Sequence, residues 1–353
     1  MTAQIPNLAG SALTVRGPVD PSALGVVSMH EHIFIDITRP PHNPRPGYDQ
    51  PAAHDPLTLE NLADVRAGAA SIANDQLGSF EEQLAEILLF RDAGGSTLVE
   101  VSNEGLGRDA VSLSRASIAS GLHLVMGAGW YEKNFHPADM DERTVDDLTS
   151  VIVRDVVEGV DGTGIRAGII GEVGVEGAPL TDNELKSTRA SGRASRITGA
   201  PITFHRGGTG EEQHTVLDVL EDEGVDLRRV TMGHAGGIGH DLPFARRLLA
   251  RGVFVEYDFL GTTGSPWGTL WPMTDRSAAE GIVALVDAGY ADQIVLGHDV
   301  CQKVQLKRYG GHGYTYLLDH FLPALSDLGL PDEVLHGFMT GNAHRALTFG
   351  APQ

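Results

Sequence analysis

Cysteine is almost missing from this chain: Cys301 is the only one in 353 residues. That excludes an intrachain disulfide and any cysteine-rich zinc module, and it fits a reducing cytoplasm. Positive charge is scarce as well. Lys and Arg total 26 against 47 Asp and Glu, a formal net charge of −21. Nucleic-acid binding needs a basic patch, so no nucleic-acid partner is expected, and the acidic excess serves solubility. The opening stretch MTAQIPNLAGSALTV has no charge before Arg16 and no long apolar block, so neither a signal peptide nor a membrane partner is expected. A GxSxG nucleophile elbow is absent. The segment GVDGTGIRAG contains only GxGxxxG and precedes a strand pattern, so it is no dinucleotide fingerprint.

What is present reads as an ordinary globular protein, 41% apolar and 21% charged. Short β-rich runs bounded by turn residues recur eight times: 26–34, 96–102, 122–130, 167–174, 200–207, 229–236, 253–260 and 293–300. Between them lie segments with helical spacing, such as SFEEQLAEILLFRDAG and TVLDVLEDEG, several ending in Gly. Eightfold strand–helix alternation predicts an α/β fold, a (β/α)8 TIM barrel. A doubly wound open sheet is the competing reading, disfavoured because no strand is followed by GxGxxG. The Pro-rich segment 38–56 and the connection 261–277 look like long loops over the barrel mouth. Residues 1–353 read as a single domain, with closing helices over 303–350.

The first strand pattern, VVSMHEHIF, carries two imidazoles. Side chains alternate along a strand, so His30 and His32 share one face while Met29, Glu31 and Ile33 take the other. The pair fits either a metal or a hydrogen-bonded core. Other candidates sit near the ends of four further strands: Glu172, His205, His234 and Asp299. Active sites of such barrels lie at the C-terminal ends of the strands. Four imidazoles and two carboxylates there suit zinc or a similar ion, and six donors suit two ions better than one. His298 neighbours Asp299 and points to the opposite side, as a packing or supporting residue. Cys301 is a weak candidate nucleophile beside the site. The other histidines, His312 apart, fall in loops, helical segments or a strand start and are assigned no chemistry.

With these residues in view, the chain resembles the phosphotriesterase family of the amidohydrolase superfamily over nearly its whole length. The resemblance rests on TVRGPVDPSALGVVSMHEHI, AGIIGEVG, TFHRG, MGHAG and GHD. VEYDFLGT and HDVCQKVQLKRYGGHGYTYLL look most like the branch of phosphotriesterase-related proteins. It implies a pair of divalent cations, zinc with manganese or cobalt as alternatives. His30, His32 and Asp299 would hold the more buried ion, and His205 and His234 the more exposed one. Many members bridge the ions with a carboxylated lysine on the fourth strand. This chain has no lysine there, and the related branch uses a glutamate, which makes Glu172 the expected bridge and Glu176 its rival. The implied enzyme is a hydrolase in which a metal-bridging hydroxide attacks a carboxylic ester, lactone or N-acyl amide, Asp299 acting as the catalytic proton carrier. A phosphotriesterase is the alternative, and a non-catalytic small-molecule binding protein is the alternative of another class. A homodimer is common among such relatives.

Aromatic surface from Trp130, Tyr131, Trp267 and Trp271 would favour a small-molecule substrate with an apolar part; the last two could equally pack their own loop. Tyr257, within VEYDFLGT, joins the candidate substrate contacts. Arg206, Lys303 and Arg308 could meet a substrate anion, and His312 is either a contact or a loop hydrogen-bonding residue.

Overall fold

The computed structural model describes residues 5–205, 210–262 and 274–353. Eight strands run parallel: β1 (Val27–Glu31), β2 (Thr97–Glu100), β3 (His123–Ala128), β4 (Ile169–Gly174), β5 (Ile202–His205), β6 (Val230–Met232), β7 (Phe254–Tyr257) and β8 (Ile294–Leu296). Each pairs with the next in chain order. The first and last meet where Asp299 N–H donates to the His30 carbonyl at 2.9 Å and His32 N–H donates to the Val300 carbonyl at 3.2 Å. The result is a nearly closed (β/α)8 barrel. No helix among the described residues is long and apolar enough to cross a membrane.

Local chemistry starts and stops the connecting helices. Thr144 and Thr181 form reciprocal capping boxes with Asp147 and Glu184, while Gly121 and Gly199 end their helices with positive φ. Glu184 also accepts from the backbone N–H groups of Glu176 and Gly177, which fastens the loop after β4. Val27, Met29, Val99, Val125, Ile169, Phe254 and Val295 pack together inside the ring. Ala343, Ala346 and Leu347 of the helix Gly341–Leu347 join this cluster. His344 Nε2 meets the carbonyl of Gly25, just before β1, so this helix plugs the end opposite the C-terminal mouth. After β8 the chain makes short helical turns up to Thr315; Leu317–Phe321 then continues into the helix Leu322–Asp327, and Asp332–Met339 and Gly341–Leu347 follow to close the barrel.

The ladder strands are shorter than the apolar runs, because the residues at their C-terminal ends leave the sheet to aim side chains into the mouth. His234 (φ 53°) and Asp299 (φ 56°) do so in the left-handed region, at a cost of about 1–3 kcal/mol each. Strict alternation also fails in β1. The pairing register shifts between Ser28 and Glu31, so Met29 joins the barrel interior while Ser28 turns to Glu31. Met29 therefore does not share the face of Glu31 and Ile33, as alternation had implied. A second shift lies between Ile170 and Val173 on β4, just where Glu172 turns inward. Irregularities of this kind re-aim side chains next to active sites.

Glu31 holds the seam between β1 and β8. Its fully buried carboxylate accepts from Ser28 Oγ, from the backbone N–H of His298 at 3.1 Å and from that of Val300 at 3.3 Å, and it contacts His298 Nδ1. Leu317 N–H donates to His298 Nε2 at 3.0 Å, which places the imidazole proton on Nδ1, toward Glu31. His298 is thus a supporting residue that faces away from the mouth. Removing a buried carboxylate strands its donors at about 1–3 kcal/mol each. Glu31→Ala should therefore lower the urea midpoint by the equivalent of about 3 kcal/mol or more, and Glu31→Gln by clearly less. Equal midpoints for wild type and Glu31→Ala would show that the seam is held elsewhere.

Candidate metal centre and active site

Six side chains from five strands converge at the mouth. Glu172 lies at the middle: its Oε1 is 3.3 Å from His32 Nε2, and its Oε2 is 3.2 Å from His30 Nε2 and 2.8 Å from His205 Nδ1. His234 Nε2 lies 3.9 Å from the same oxygen and 2.8 Å from His205 Nδ1. Asp299 Oδ1 is 3.3 Å from His32 Nε2 and 4.0 Å from His30 Nε2. All but His205 are buried.

The far side of each imidazole fixes which nitrogen faces inward. His30 Nδ1 contacts Glu256 at 3.0 Å, His234 Nδ1 contacts Asp258 at 2.7 Å, and His32 Nδ1 contacts Ser102 Oγ at 2.8 Å. These partners leave the three Nε2 atoms to the centre. His205 is reversed: Tyr131 OH and Glu176 hold its Nε2, and Nδ1 points inward. Nitrogen lone pairs then confront carboxylate oxygens at close range, and acceptors facing acceptors need a cation between them. Among the described residues His30 Nε2 is buried without a hydrogen-bond partner, as an unfilled ligand atom would be. Among the described residues four groups of donors could hold a metal: His30, His32 and Glu172; His30, His234 and Asp299; Glu172, His205 and His234; and His30 with its outer partners Glu256 and Asp258. The donor set therefore fits divalent cations, with imidazole and carboxylate chemistry suited to zinc, manganese or cobalt.

Titration behaviour points the same way. Burial opposes a charge on His32, but hydrogen bonds to Asp299 and Glu172 outweigh it and raise the imidazole to about 9. Burial likewise opposes a charge on His205, yet Glu172 carries it to about 10. Glu172 is held well below the usual carboxylate range despite its burial, by His205 and His30. The pocket calls for positive charge, supplied by protons or by metal.

The adjoining cavity is about 240 Å³ and combines this polar floor with apolar walls from Ile35, Ile37, Leu106, Phe135 and Phe259. Tyr131, a candidate substrate contact, lines it. Cys301 does too, but burial pushes its thiol well above the ordinary value, which leaves it a poor nucleophile. Glu176 and Glu132 also line the cavity; burial and a hydrogen bond to Glu176 raise Glu132 to about 7.

Other candidates lie elsewhere. Trp130 is packed in the core, and alternation turns Tyr257 outward against Gly281 while Glu256 turns inward. Beyond Cys301 the chain contributes no residue to the cavity lining. There Lys303 N–H donates to the Asn74 carbonyl, Arg308 Nε sits 3.3 Å from Glu82, and His312 packs on Tyr316 and His320. Arg206, Trp267 and Trp271 fall outside the described residues.

Glu256 and Asp258 escaped the sequence reading. Their signal was two acids spaced i, i+2 in the apolar run VFVEYDFL, the same signature that exposed His30 and His32. The cavity cations Arg39 and Arg45, in the loop after β1, gave no comparable signal.

Metal-free protein should show a distinctive pH dependence. Folded-state pKa values raised above the ordinary 6.5 stabilise the fold below pH 6.5, and that stability is lost as pH rises through about 9 to 10. The melting temperature of chelator-treated protein should therefore fall between pH 7 and pH 10. Added Zn²⁺ should raise it more at pH 9 than at pH 6, because metal competes with protons for the same nitrogens. Scanning calorimetry with and without chelator checks both signs.

Known proteins resemble this chain along nearly its whole length. The profile of the phosphotriesterase family matches residues 10–347. An N-acetyltaurine hydrolase from Tetraodon nigroviridis is 33% identical over 349 residues, covering 97% of this chain and 99% of the relative. A crystal structure of a resiniferatoxin-binding protein from Rhodobacter sphaeroides is 36% identical, with a TM-score of 0.87, over 97% of this chain and 96% of that one. The phosphotriesterase homology protein from Escherichia coli, crystallised with phosphate in its active site, is 26% identical with a TM-score of 0.77 over 93% and 100% of the two chains. Matches spanning both the barrel and the strand ends that form its mouth show that this chain is a hydrolase belonging to the phosphotriesterase family.

Proposed function

We propose that the protein is a binuclear metal hydrolase acting on an N-acyl amide, with esters and lactones as substrates of the same carbonyl chemistry. One observation carries the binuclear reading: a single carboxylate, Glu172, offers one oxygen toward His32 and the other toward His205. A bridging ligand must face both halves of a donor set in this way. On this reading His30, His32 and Asp299 hold one ion, His205 and His234 the other, and Glu172 both. Zinc is the first candidate, with manganese or cobalt as alternatives. When bound, such a pair lowers the pKa of water and polarises a carbonyl oxygen.

The chain's own residues supply the rest. Asp299 lies beside His32 at the inner end of the cavity, placed to take the proton of the attacking water and pass it to the departing amine. Ile35, Ile37, Leu106 and Phe259 exclude bulk water and accommodate a short acyl group. Tyr131 is fixed on His205 and forms the wall next to the second half of the donor set. An amide is favoured over a phosphotriester because the relative matched over nearly its whole length is named an N-acetyltaurine hydrolase. We also read the chain as one domain working in the cytoplasm, possessing a single reduced cysteine.

Purified protein should bind close to two equivalents of divalent metal, lose activity to a chelator, and recover it with Zn²⁺, Mn²⁺ or Co²⁺. Less than one equivalent with no recovery would leave a binding protein without turnover. In a panel of N-acyl amides, aryl esters, lactones and phosphotriesters, the amide reading fails if another class exceeds the best amide a hundredfold in kcat/KM. Asp299→Asn should lower kcat by about 10²-fold or more while changing KM far less, and Glu172→Ala should lose metal together with activity. Full metal content in Glu172→Ala would move the bridge to another residue.

A further inference from the structure

Two guanidinium groups line the cavity, and they are not equivalent. Arg45 is committed to the protein. Its Nη1 lies 2.6 Å from Asp75 and 3.1 Å from Tyr48 OH. Arg39 makes no side-chain hydrogen bond or ion pair among the described residues. That is unexpected where Glu132, Glu176, Glu172 and Asp299 line the same cavity, since any of them could have engaged it.

The backbone of Arg39 adds a second observation. Its φ is 72°, in the left-handed region that residues with a side chain rarely occupy. It also precedes Pro40, and the residue before a proline is pushed toward extended conformations. The loop therefore holds Arg39 against two local preferences at a site where glycine would fit with less strain. Such a placement costs stability and brings the residue to the cavity without giving its side chain a partner among the described residues.

Charge bears on what that side chain meets. The chain carries a net charge of −21, and four carboxylates, Glu132, Glu172, Glu176 and Asp299, line the cavity. A neutral substrate would require no cation at its far end. An anionic one gains from a fixed positive group at its end away from the metal-binding donors, and a planar guanidinium suits a carboxylate or sulfonate. Arg39 lies in the loop after β1, on the same cavity as the donor set at the inner end. We propose that Arg39 is the specificity residue of this enzyme, receiving the anionic group of a short N-acyl amine whose acyl carbonyl sits at the metal-binding donors. The substrate class is then a small N-acylated amino-sulfonate or amino-carboxylate. This inference rests on the amide reading given above for the chemical step, but its anion-binding part can be tested separately.

The test uses metal-loaded enzyme and three amides: N-acetyltaurine, N-acetyl-β-alanine and the neutral N-ethylacetamide. Arg39→Gln should lower kcat/KM for the two anionic amides at least tenfold more than for the neutral one, with most of the loss in KM. Arg39→Lys, which keeps the charge and loses the fork, should recover part of the difference. A merely structural arginine would depress all three substrates alike, and that result would overturn the proposal. If the wild type hydrolyses none of the amides, the amide reading fails on its own. Calorimetric titration of ethanesulfonate then decides the present inference. Binding at least tenfold weaker in Arg39→Gln than in wild type supports it, and equal affinity, including no binding to either, rejects it.

Discussion

The site depends on one unfavourable arrangement, the confrontation of buried imidazole lone pairs with buried carboxylate oxygens around Glu172. In an apolar interior these groups cannot be left as bare acceptors. Without a cation the cluster retains protons, which is why His32 and His205 are displaced upward and Glu172 downward. A divalent ion resolves the same conflict with greater charge in less space. The affinity of such a centre is thus set by the geometry of the barrel, which prevents the donors from separating, as well as by the donors themselves.

That geometry comes from strands supporting one another's side chains. Glu256 and Asp258 of the β7 segment hold His30 and His234, which belong to other strands, and Ser102 beyond β2 holds His32. Orienting partners of this kind fix the tautomer and raise the basicity of the ligating nitrogen. The reversed setting of His205, with Tyr131 and Glu176 on its outer nitrogen, places that imidazole where the centre meets the cavity. Of the six donors, His30 is embedded in the barrel, while His32, Glu172, His205, His234 and Asp299 border the space where a substrate would lie.

Much of this was legible in the sequence, for identifiable reasons. A parallel strand needs apolar residues on both faces, so His, Glu or Asp inside such a run advertises itself. His30, His32, Glu172, His205, His234 and Asp299 were found that way, and the eight runs gave the barrel. The strict period of two misled where the backbone departs from it. The shift in β1 moved Met29 to the interior, and Tyr257 was offered as a substrate contact although its neighbours Glu256 and Asp258 claim the inward positions. Loop residues were the least legible. Lys303, Arg308 and His312 follow a candidate ligand closely along the chain but turn away from it in space, whereas Arg39 and Arg45 reach the cavity through a Pro-rich segment without periodicity. Distance along a loop carries no information about direction.

The clasp at Glu31 has a consequence for how the candidate metal centre is held together. On β1 the outward Glu31 sits between the inward His30 and His32, and across the seam the outward His298 adjoins the inward Asp299. The peptide units that lock the barrel shut are therefore the same units that carry three of the candidate ligands. Opening the ring at this joint would spread the donors apart, and drawing the donors together tightens the joint. Retention of a bound cation and closure of the cylinder would then act as one mechanical event, a latch at the position where a circular sheet is most easily pried open.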